Sequence, residues 1–399
     1  MTISRILQRF LLVGFFPGIL WMLCNQTHAQ GSDYKSIDTR PFADAAHHWY
    51  DIFEKGNVIV PKPNQPKYKP DEIAAIADNI LLYQKDNGGW PKNYDIQAIL
   101  TDAQKDSLRK VKHILNTTFD NSTTWSHVEC LAKVYTATKN EAYKVACLKG
   151  LDFILSAQYA NGGWPQYFPL MKDYSKYITY NDDVFTGIMG VLKNINDAKP
   201  WFSFIENDRR SKLKAAFEKG LDCIINTQIT DNASPTAWCQ QHDDKTLQPA
   251  WARAFEPPSI CNGESADVVL LLMNIKNPDK KIINAVQNAV AWFNESKIMN
   301  TRVKTIQAPV DTTKYTISKT DKVVVTDPTA PPIWTRYYEL KTHRPMFCNR
   351  DRKIVYSLAE VERERRDGYG WHTYAPQKVL DLYKNWHQLN APGKNVLEN

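Results

Sequence analysis

The residues best suited to chemistry in this chain are aspartates and arginines set in turn-rich, aromatic stretches. Acidic residues gather at three places: Asp120-Asn121, Asn181-Asp182-Asp183, and Glu256 with Glu264. Each cluster precedes an apolar helical pattern, so any one Asp has a plain alternative role as a helix N-cap. Recurrence of acid at the same point of successive segments argues for a shared site. Carboxylates on one rim repel each other unless a cation binds, and oxygen-only ligands favour a hard cation such as Ca2+. Arg253, Arg336, Arg344 and Arg350 also lie in turn-rich segments. There the guanidinium fork suits carboxylate recognition, the alternative for each being a surface ion pair. His127, His242, His343 and His372 are scattered with no HxxxH spacing, which disfavours zinc. No GxSxG, phosphate-binding loop or dinucleotide fingerprint occurs, so a serine nucleophile and nucleotide chemistry have no support.

One stretch concentrates these side chains: Gln240 to Ser259, QQHDDKTLQPAWARAFEPPS. Pro249, Pro257 and Pro258 break it, so it reads as an ordered loop with at most a short helix near Trp251. Loop character alone does not separate a binding surface from a connection.

The elements that must hold these residues form a repeat. Ile73, Ile76, Ile80 and Tyr83 mark one helix face, ending at Gln84 before KDNGGWPK. Leu148, Leu151 and Leu155 mark another, ending at Gln158 before YANGGWPQ. NGGWP thus occurs at Asn87 and, 74 residues later, at Asn161. A degraded third copy follows: KGLD at Lys149 recurs at Lys219, Gln158 recurs as Gln228, and Trp238 replaces Trp90 and Trp164. Second helices begin near Asn121, Asp183 and Ser265. Their apolar faces are Val128/Leu131/Val134, Ile188/Val191/Ile195 and Val268/Leu271/Ile275. A period of about seventy residues holding two helices and a Gly-Trp loop is a helical-hairpin repeat. It predicts a mainly α (α/α)3 toroid with the linking loops on one rim. Gly and Pro in NGGWP serve as helix stops, leaving the polar residue after the proline, Lys92 or Gln166, available. A further helix is expected over 281–293, β-like segments within 302–340, a short charged helix over 360–366 and a last helix over 377–388.

The chain has 399 residues, 43% hydrophobic and 23% charged, ordinary for a globular protein. Arg5 and Arg9 precede an apolar run from Phe10 to Leu23 and a small residue, Ala29, which reads as a secretory signal over 1–29. A polar lead-in over 30–70 and a catalytic domain over 71–399 follow. No later stretch reaches membrane-spanning length. Removing the signal lowers the formal charge from +7 to +5, which suits an acidic polymer or plain solubility. Cys130, Cys147, Cys223, Cys239, Cys261 and Cys348 show no CxxC and read as buried thiols, although export permits a disulfide.

Several motifs together resemble the polysaccharide lyase family 10 pectate lyases. They are NGGWPK (Asn87–Lys92), DNSTT (Asp120–Thr124), AQYANGGWPQ (Ala157–Gln166), ITYNDDV (Ile178–Val184), TAWCQQHDDKTLQPAWARAFEPPS (Thr236–Ser259), RPMF (Arg344–Phe347) and ERRDGYGW (Glu364–Trp371). The resemblance runs from about Ile76 to the C-terminus. It implies an exported bacterial toroid that performs Ca2+-assisted anti-β-elimination on polygalacturonate. Arg253, in WARAFE, matches the family's base. Asp120 and the Asp182/Asp183 pair match its calcium centre, with either member of the pair as ligand. Trp125-Ser126-His127 departs from the pattern, where smaller polar residues are expected. Lys92, Asn181, Arg336 and Arg344 are candidates for holding substrate.

The chemistry accounts for those residue types. The C5 proton of galacturonate is α to a carboxylate, and a cation there would stabilise the developing enolate-like charge. Arginine is normally protonated, so an arginine base predicts an alkaline optimum and strict calcium dependence. A monomer with no nucleic-acid partner and no membrane span, secreted or periplasmic, is expected. Two competing readings remain. A glycoside hydrolase on the same toroid, acting on an acidic polysaccharide, would need two carboxyl groups about 5–10 Å apart. The other is a non-catalytic uronate-binding protein.

Overall fold

The computed structural model describes residues 34–52, 57–393 and 395–398; the expected signal segment lies outside them. The lead-in contributes a helix of its own, α1 (Ala43–Asp51), and Ile37, Phe42 and Trp49 are buried against the body. Ten more helices follow: α2 (Ile73–Tyr83), α3 (Asp102–Lys110), α4 (Trp125–Thr138), α5 (Glu141–Ala157), α6 (Val184–Asn196), α7 (Asn207–Thr227), α8 (Asn262–Met273), α9 (Lys280–Glu295), α10 (Arg363–Gly368) and α11 (Ala375–Asn390).

These helices form two rows. α2, α5, α7 and α9 pack in succession along the outer row, and α4, α6, α8 and α11 along the inner one. Cross-contacts α2–α4, α4–α5, α6–α7, α8–α9 and α9–α11 join the rows. This is the expected (α/α)3 toroid of helical hairpins, with α9 and α11 adding a pair that the sequence period does not reveal.

The repeat residues are joints. At the ends of α2, α5 and α7 a glutamine amide donates to its own loop and to the next outer helix. Gln84 reaches Gly88 O and Ala146 O, both 2.9 Å. Gln158 reaches Gly162 O at 3.0 Å and Ala216 O at 2.9 Å, and Gln228 reaches Thr236 O and Ala285 O, both 3.0 Å. Each loop then folds a tryptophan back under its helix. The indole N–H groups of Trp90, Trp164 and Trp238 donate to Ile80 O, Ile154 O and Ile224 O at 2.8, 2.9 and 2.8 Å. Trp334 does the same to Phe293 O of α9 at 2.9 Å, which marks a fourth copy. Gly88 and Gly162 sit at φ +91°, and a Cβ there would lie 2.4 and 2.0 Å from the carbonyls of Lys149 and Lys219. Both the turn and the approach of the next helix therefore require glycine.

At the rim the loops are stitched edge to edge. Bridges run Trp90–Thr118–Tyr167 and Pro165–Ile178–His242–Pro249, and Tyr180 N–H donates to Gln240 O at 2.8 Å. Residues Ile260–Cys261 pair with Tyr337–Tyr338, which pair in turn with Pro345–Met346. The β-like region beyond α9 is mostly one long hairpin, Thr301–Thr312 against Ile317–Thr326. All six described cysteines are buried thiols, as expected.

One local expectation, the acid N-caps, is corrected. α4, α6 and α8 start at Trp125, Val184 and Asn262, and the acids before them do not cap. Asp183, at the N-cap of α6, is left-handed and makes no side-chain cap hydrogen bond. The Gln240–Ser259 loop holds a short strand, Gln241–His242, and no helix near Trp251. The three prolines and the cross-rim pairing both prevent helix formation there.

Candidate active site

Asp120 and Asp182 come from successive repeats, and the stitched loops bring their carboxyl groups close enough that each shifts the proton affinity of the other. Asp120 is 3% exposed and follows the bridge residue Thr118 and Phe119, whose N–H donates to Gln166 O at 3.0 Å. Its two oxygens accept from Lys92 Nζ at 2.8 Å and Gln166 Nε2 at 2.7 Å. Thus the residue after the proline in each NGGWP loop points at the same carboxylate. Burial works against the charge of Asp120, but Lys92 and Gln166 outweigh it and hold the carboxyl below the usual range. Asp182 behaves oppositely. Desolvation in the cleft, then the adjacent Asp120, push it well above the usual range despite Arg253 and Arg336. Lys92 pairs with Asp120, whereas Arg253 and Arg336 are the cations that face Asp182.

The backbone that presents these acids is unusual. Asn121, Ser122 and Thr124 have φ of 51°, 59° and 65°, and Asp182 and Asp183 have 52° and 58°. Left-handed conformations cost free energy for non-glycine residues and cluster at functional sites. Asp183 turns away from Asp120 toward Glu264 and Asp267, and desolvation followed by Glu264 raises its pKa. The geometry thus separates the pair: Asp182 faces Asp120, and Asp183 lies on the far side.

Arg253 reaches the same cleft from the third loop. Its guanidinium binds Glu256 Oε1 at 2.5 Å while its own N–H donates to Glu256 Oε2 at 3.0 Å. The side chain remains 42% exposed over a fully buried Glu256. Burial lowers the proton affinity of Arg253, yet Glu256 more than offsets this and the pKa is raised. Tyr369 donates to Glu256 at 2.9 Å and contacts Tyr337 through their hydroxyls at 2.6 Å. His242, fully buried, braces the loop: Nε2 accepts from Cys239 N at 3.0 Å and Nδ1–H donates to Leu247 O at 2.9 Å.

Arg336 also belongs to the cluster. It donates to Asn181 Oδ1 at 2.7 Å and pairs with Glu264, while Asn181 donates to Asp182 at 2.6 Å. A cleft of about 330 Å3 opens beside Asn181, Asp182, Glu264 and Arg336. Arg344 is not brought together with these residues. It stacks 3.6 Å over the Tyr356 ring, and its exposed side chain makes no described contact with the acids. Arg350 lies nearer, 5.1 Å from the Phe255 ring and paired with Glu364. Sequence reasoning missed Tyr369 and Arg365, whose guanidinium sits 4.8 Å from Phe255. The signal was the ERRDGYGW motif, which marked the family resemblance without naming these two residues as part of the site. His127, in the departing segment, is structural: it accepts from Thr124 N at 3.1 Å and stacks on Trp90.

The donors fit a hard cation in part. Asp120 and Asp182 converge with oxygen atoms only, and the buried Gln166 carbonyl oxygen has no partner. Among the described residues no three His, Cys, Asp or Glu side chains form a complete metal cage. Two carboxylates leave most of a shell of about six to eight oxygens to water and ligand.

Comparison with known proteins agrees with this arrangement. A pectic acid lyase family model matches residues 84–380. An aspartate-to-alanine mutant of a family 10 polysaccharide lyase from Cellvibrio cellulosa, solved in complex with trigalacturonic acid, is 29% identical. That match covers 78% of this chain and 92% of the other, with a TM-score of 0.66. A second structure of a family 10 polysaccharide lyase from Cellvibrio cellulosa is 26% identical, covering 88% of this chain and 98% of the other, again at 0.66. Among curated proteins none matches. With the family model spanning most of the chain and the toroid shared, the chain belongs to the pectic acid lyase family, the family 10 polysaccharide lyases, and is a pectate lyase.

Proposed function

We propose that the chain cleaves polygalacturonate by Ca2+-dependent anti-β-elimination, with Arg253 as the base. The observation that carries this reading is the placement of Arg253 near Asp182, whose carboxyl adjoins that of the Lys92-bound Asp120. The trigalacturonic acid bound to the Cellvibrio cellulosa mutant supports a polyuronate as the ligand. Asp120 and Asp182 would hold the calcium, with Asp183 outside the first set of ligands. When bound, calcium neutralises the uronate carboxylate and acidifies the C5–H.

Arg253 takes the C5 proton in its neutral form, the C4–O4 bond breaks as the C4–C5 double bond forms, and O4 takes up a proton. Glu256 raises the proton affinity of Arg253, so the neutral fraction grows with pH and the rate rises into the alkaline range. Glu256 also fixes Arg253 through one hydrogen bond to its guanidinium and one to its backbone N–H, and the side chain stays partly exposed. Lys92, Asn181 and Arg336 line the same region, where cations and an amide suit uronate carboxylates. Arg344, stacked on Tyr356, would serve a more distant part of a long chain.

Export as a secreted or periplasmic enzyme fits a polymeric substrate, and no helix among the described residues is long and apolar enough to cross a membrane. Purified protein with polygalacturonate and Ca2+ should release products that absorb in the ultraviolet through the C4–C5 double bond, and EDTA should stop the reaction. New reducing ends without that absorbance would instead identify a hydrolase. Binding without turnover would identify a uronate-binding protein.

A further inference from the structure

The Thr301–Thr326 hairpin is poorly explained by folding alone. No residue of either strand is fully buried, and an isolated two-stranded hairpin is marginally stable in water. It is held from one side by polar bonds to α10. Arg366 binds Asp321 through two contacts of 2.7 Å, Arg363 donates to Thr320 O at 3.0 and 3.2 Å, and Asp367 accepts from Thr320 Oγ1 at 2.8 Å. Lys322 Nζ donates to Tyr369 O at 3.2 Å, the residue whose hydroxyl donates to Glu256. The hairpin therefore braces the segment behind the Arg253–Glu256 pair.

Its far end reaches forward. The register shifts between Gln307 and Asp311, across Ala308-Pro309-Val310, and such a bulge bends a hairpin. Beyond the bend, Thr313 closes the turn by accepting from Tyr315 N and Thr316 N at 3.1 Å. The Tyr315 ring then lies 3.7 Å from the Arg350 guanidinium, which is 5.1 Å from Phe255, itself 5.3 Å from the guanidinium of Arg253. Tyr315 is still 52% exposed, and Val310 and Ile317 beside it are 63% and 66% exposed. The surroundings are cationic: Arg350 and Arg365 share the single carboxylate of Glu364, and Lys314 lies 4.9 Å from the Tyr315 ring.

We propose that this hairpin tip is a substrate-recognition wall, in which Tyr315 stacks on a uronate ring next to the Arg253 site and so sets chain-length preference. It rests on the polygalacturonate lyase reading above. A pyranose ring offers an apolar C–H face to an aromatic ring, and its carboxylate suits the cations at the tip. A short ligand that depends on each ring contact loses more from removal of the wall than a polymer that has many.

The test uses Tyr315→Ala and a shortened chain in which residues 308–319 are replaced by Asn-Gly, a two-residue hairpin turn that keeps the Thr320, Asp321 and Lys322 anchors. Calorimetry in EDTA, where no cleavage competes, gives the Kd for trigalacturonate, and kinetics with Ca2+ give kcat/KM for trigalacturonate and for polygalacturonate. Thermal unfolding confirms that both variants fold. Weakening of trigalacturonate binding by about tenfold, with a smaller loss on the polymer and unchanged kcat, is expected. Unaltered Kd and unaltered substrate ratio in both folded variants would overturn the wall. So would a hairpin-dependent dimer in sedimentation, which would make the exposed tip a contact between copies. Unaltered protein that forms no unsaturated product defeats the lyase reading and the wall with it, whereas active protein with indifferent variants defeats the wall alone.

Discussion

The NGGWP loop after α5 and the loop after α7 leave the same kind of junction and diverge within ten residues. Both begin with a glutamine that ties two outer helices and both fold a tryptophan under the helix they leave. The first then stays short because Gly162 fits against Lys219 O, and it delivers Gln166 to Asp120. The second lacks the glycine pair, turns through residues 230–235 and runs on to Arg253. It replaces glycine geometry with internal struts: His242 across the loop base and Glu256 beneath the arginine. One loop is specified by backbone conformation, the other by buried polar bonds. Glycine geometry admits only a short, fixed reach, whereas polar struts permit a long loop at the cost of buried groups that must stay satisfied.

This contrast can be broken at several points. Replacing Arg253 has the largest expected effect. Arg253→Lys keeps a cation over Glu256, and we expect kcat to fall about 10³-fold with little change in unfolding temperature. Near-normal product formation would remove Arg253 as the base. Next is Gly162→Ala, whose Cβ meets the Lys219 carbonyl at a backbone φ of +91°. It should cost roughly 2–4 kcal/mol in denaturant unfolding. Gly263→Ala, with nothing within 4 Å, is the neutral control.

Glu256→Gln probes the strut. Without the carboxylate the proton affinity of Arg253 falls, so the alkaline limb of the pH–rate profile should move at least about one unit lower, or roughly 1.4 kcal/mol. An unmoved profile would mean that Arg253 is not the titrating group.

Buried histidines give the next effect. Burial lowers His127 to about 3 and His242 and His372 to about 4, all below the unperturbed value. The unfolded chain then binds more protons as pH drops below about 6.5, so stability is complete above neutrality and falls between about pH 6.5 and 4. Each group contributes up to about 1.4 kcal/mol per pH unit. Denaturation at pH 7.5 and 5 measures this, and His242→Gln should flatten the slope. The smallest effect is expected from Gln158→Ala, roughly 1 kcal/mol, since it removes two hydrogen bonds at a half-exposed joint.

Much of the toroid was legible because its joints are chemically distinctive. A glutamine, a glycine pair and a tryptophan recur where helix meets helix, and each has a bond that only that side chain makes. The fourth copy escaped because 41 residues separate Trp334 from Phe293, whose carbonyl it binds, and the intervening hairpin erased the period. Asp120, Asp182, Arg253 and Arg336 were legible as types in odd places. Tyr369 and Arg365 were not, because the motif that holds them carries no sign of what it packs against. The capping alternative for Asp183 was equally open in sequence, since the left-handed backbone that defeats it depends on the loops around it.

The sequence by itself determined the helical pairs, the rim on which their loops meet and the residue types available there, since periodicity and local stops are properties of neighbouring residues. Only the tertiary structure decided the partners. The choice of Asp182 over Asp183 to face Asp120, the burial of Glu256 under Arg253 and the reach of Tyr315 to Arg350 all depend on segments distant in the chain. Distance and desolvation set the strength of these interactions, and both are fixed only when the loops are stitched together.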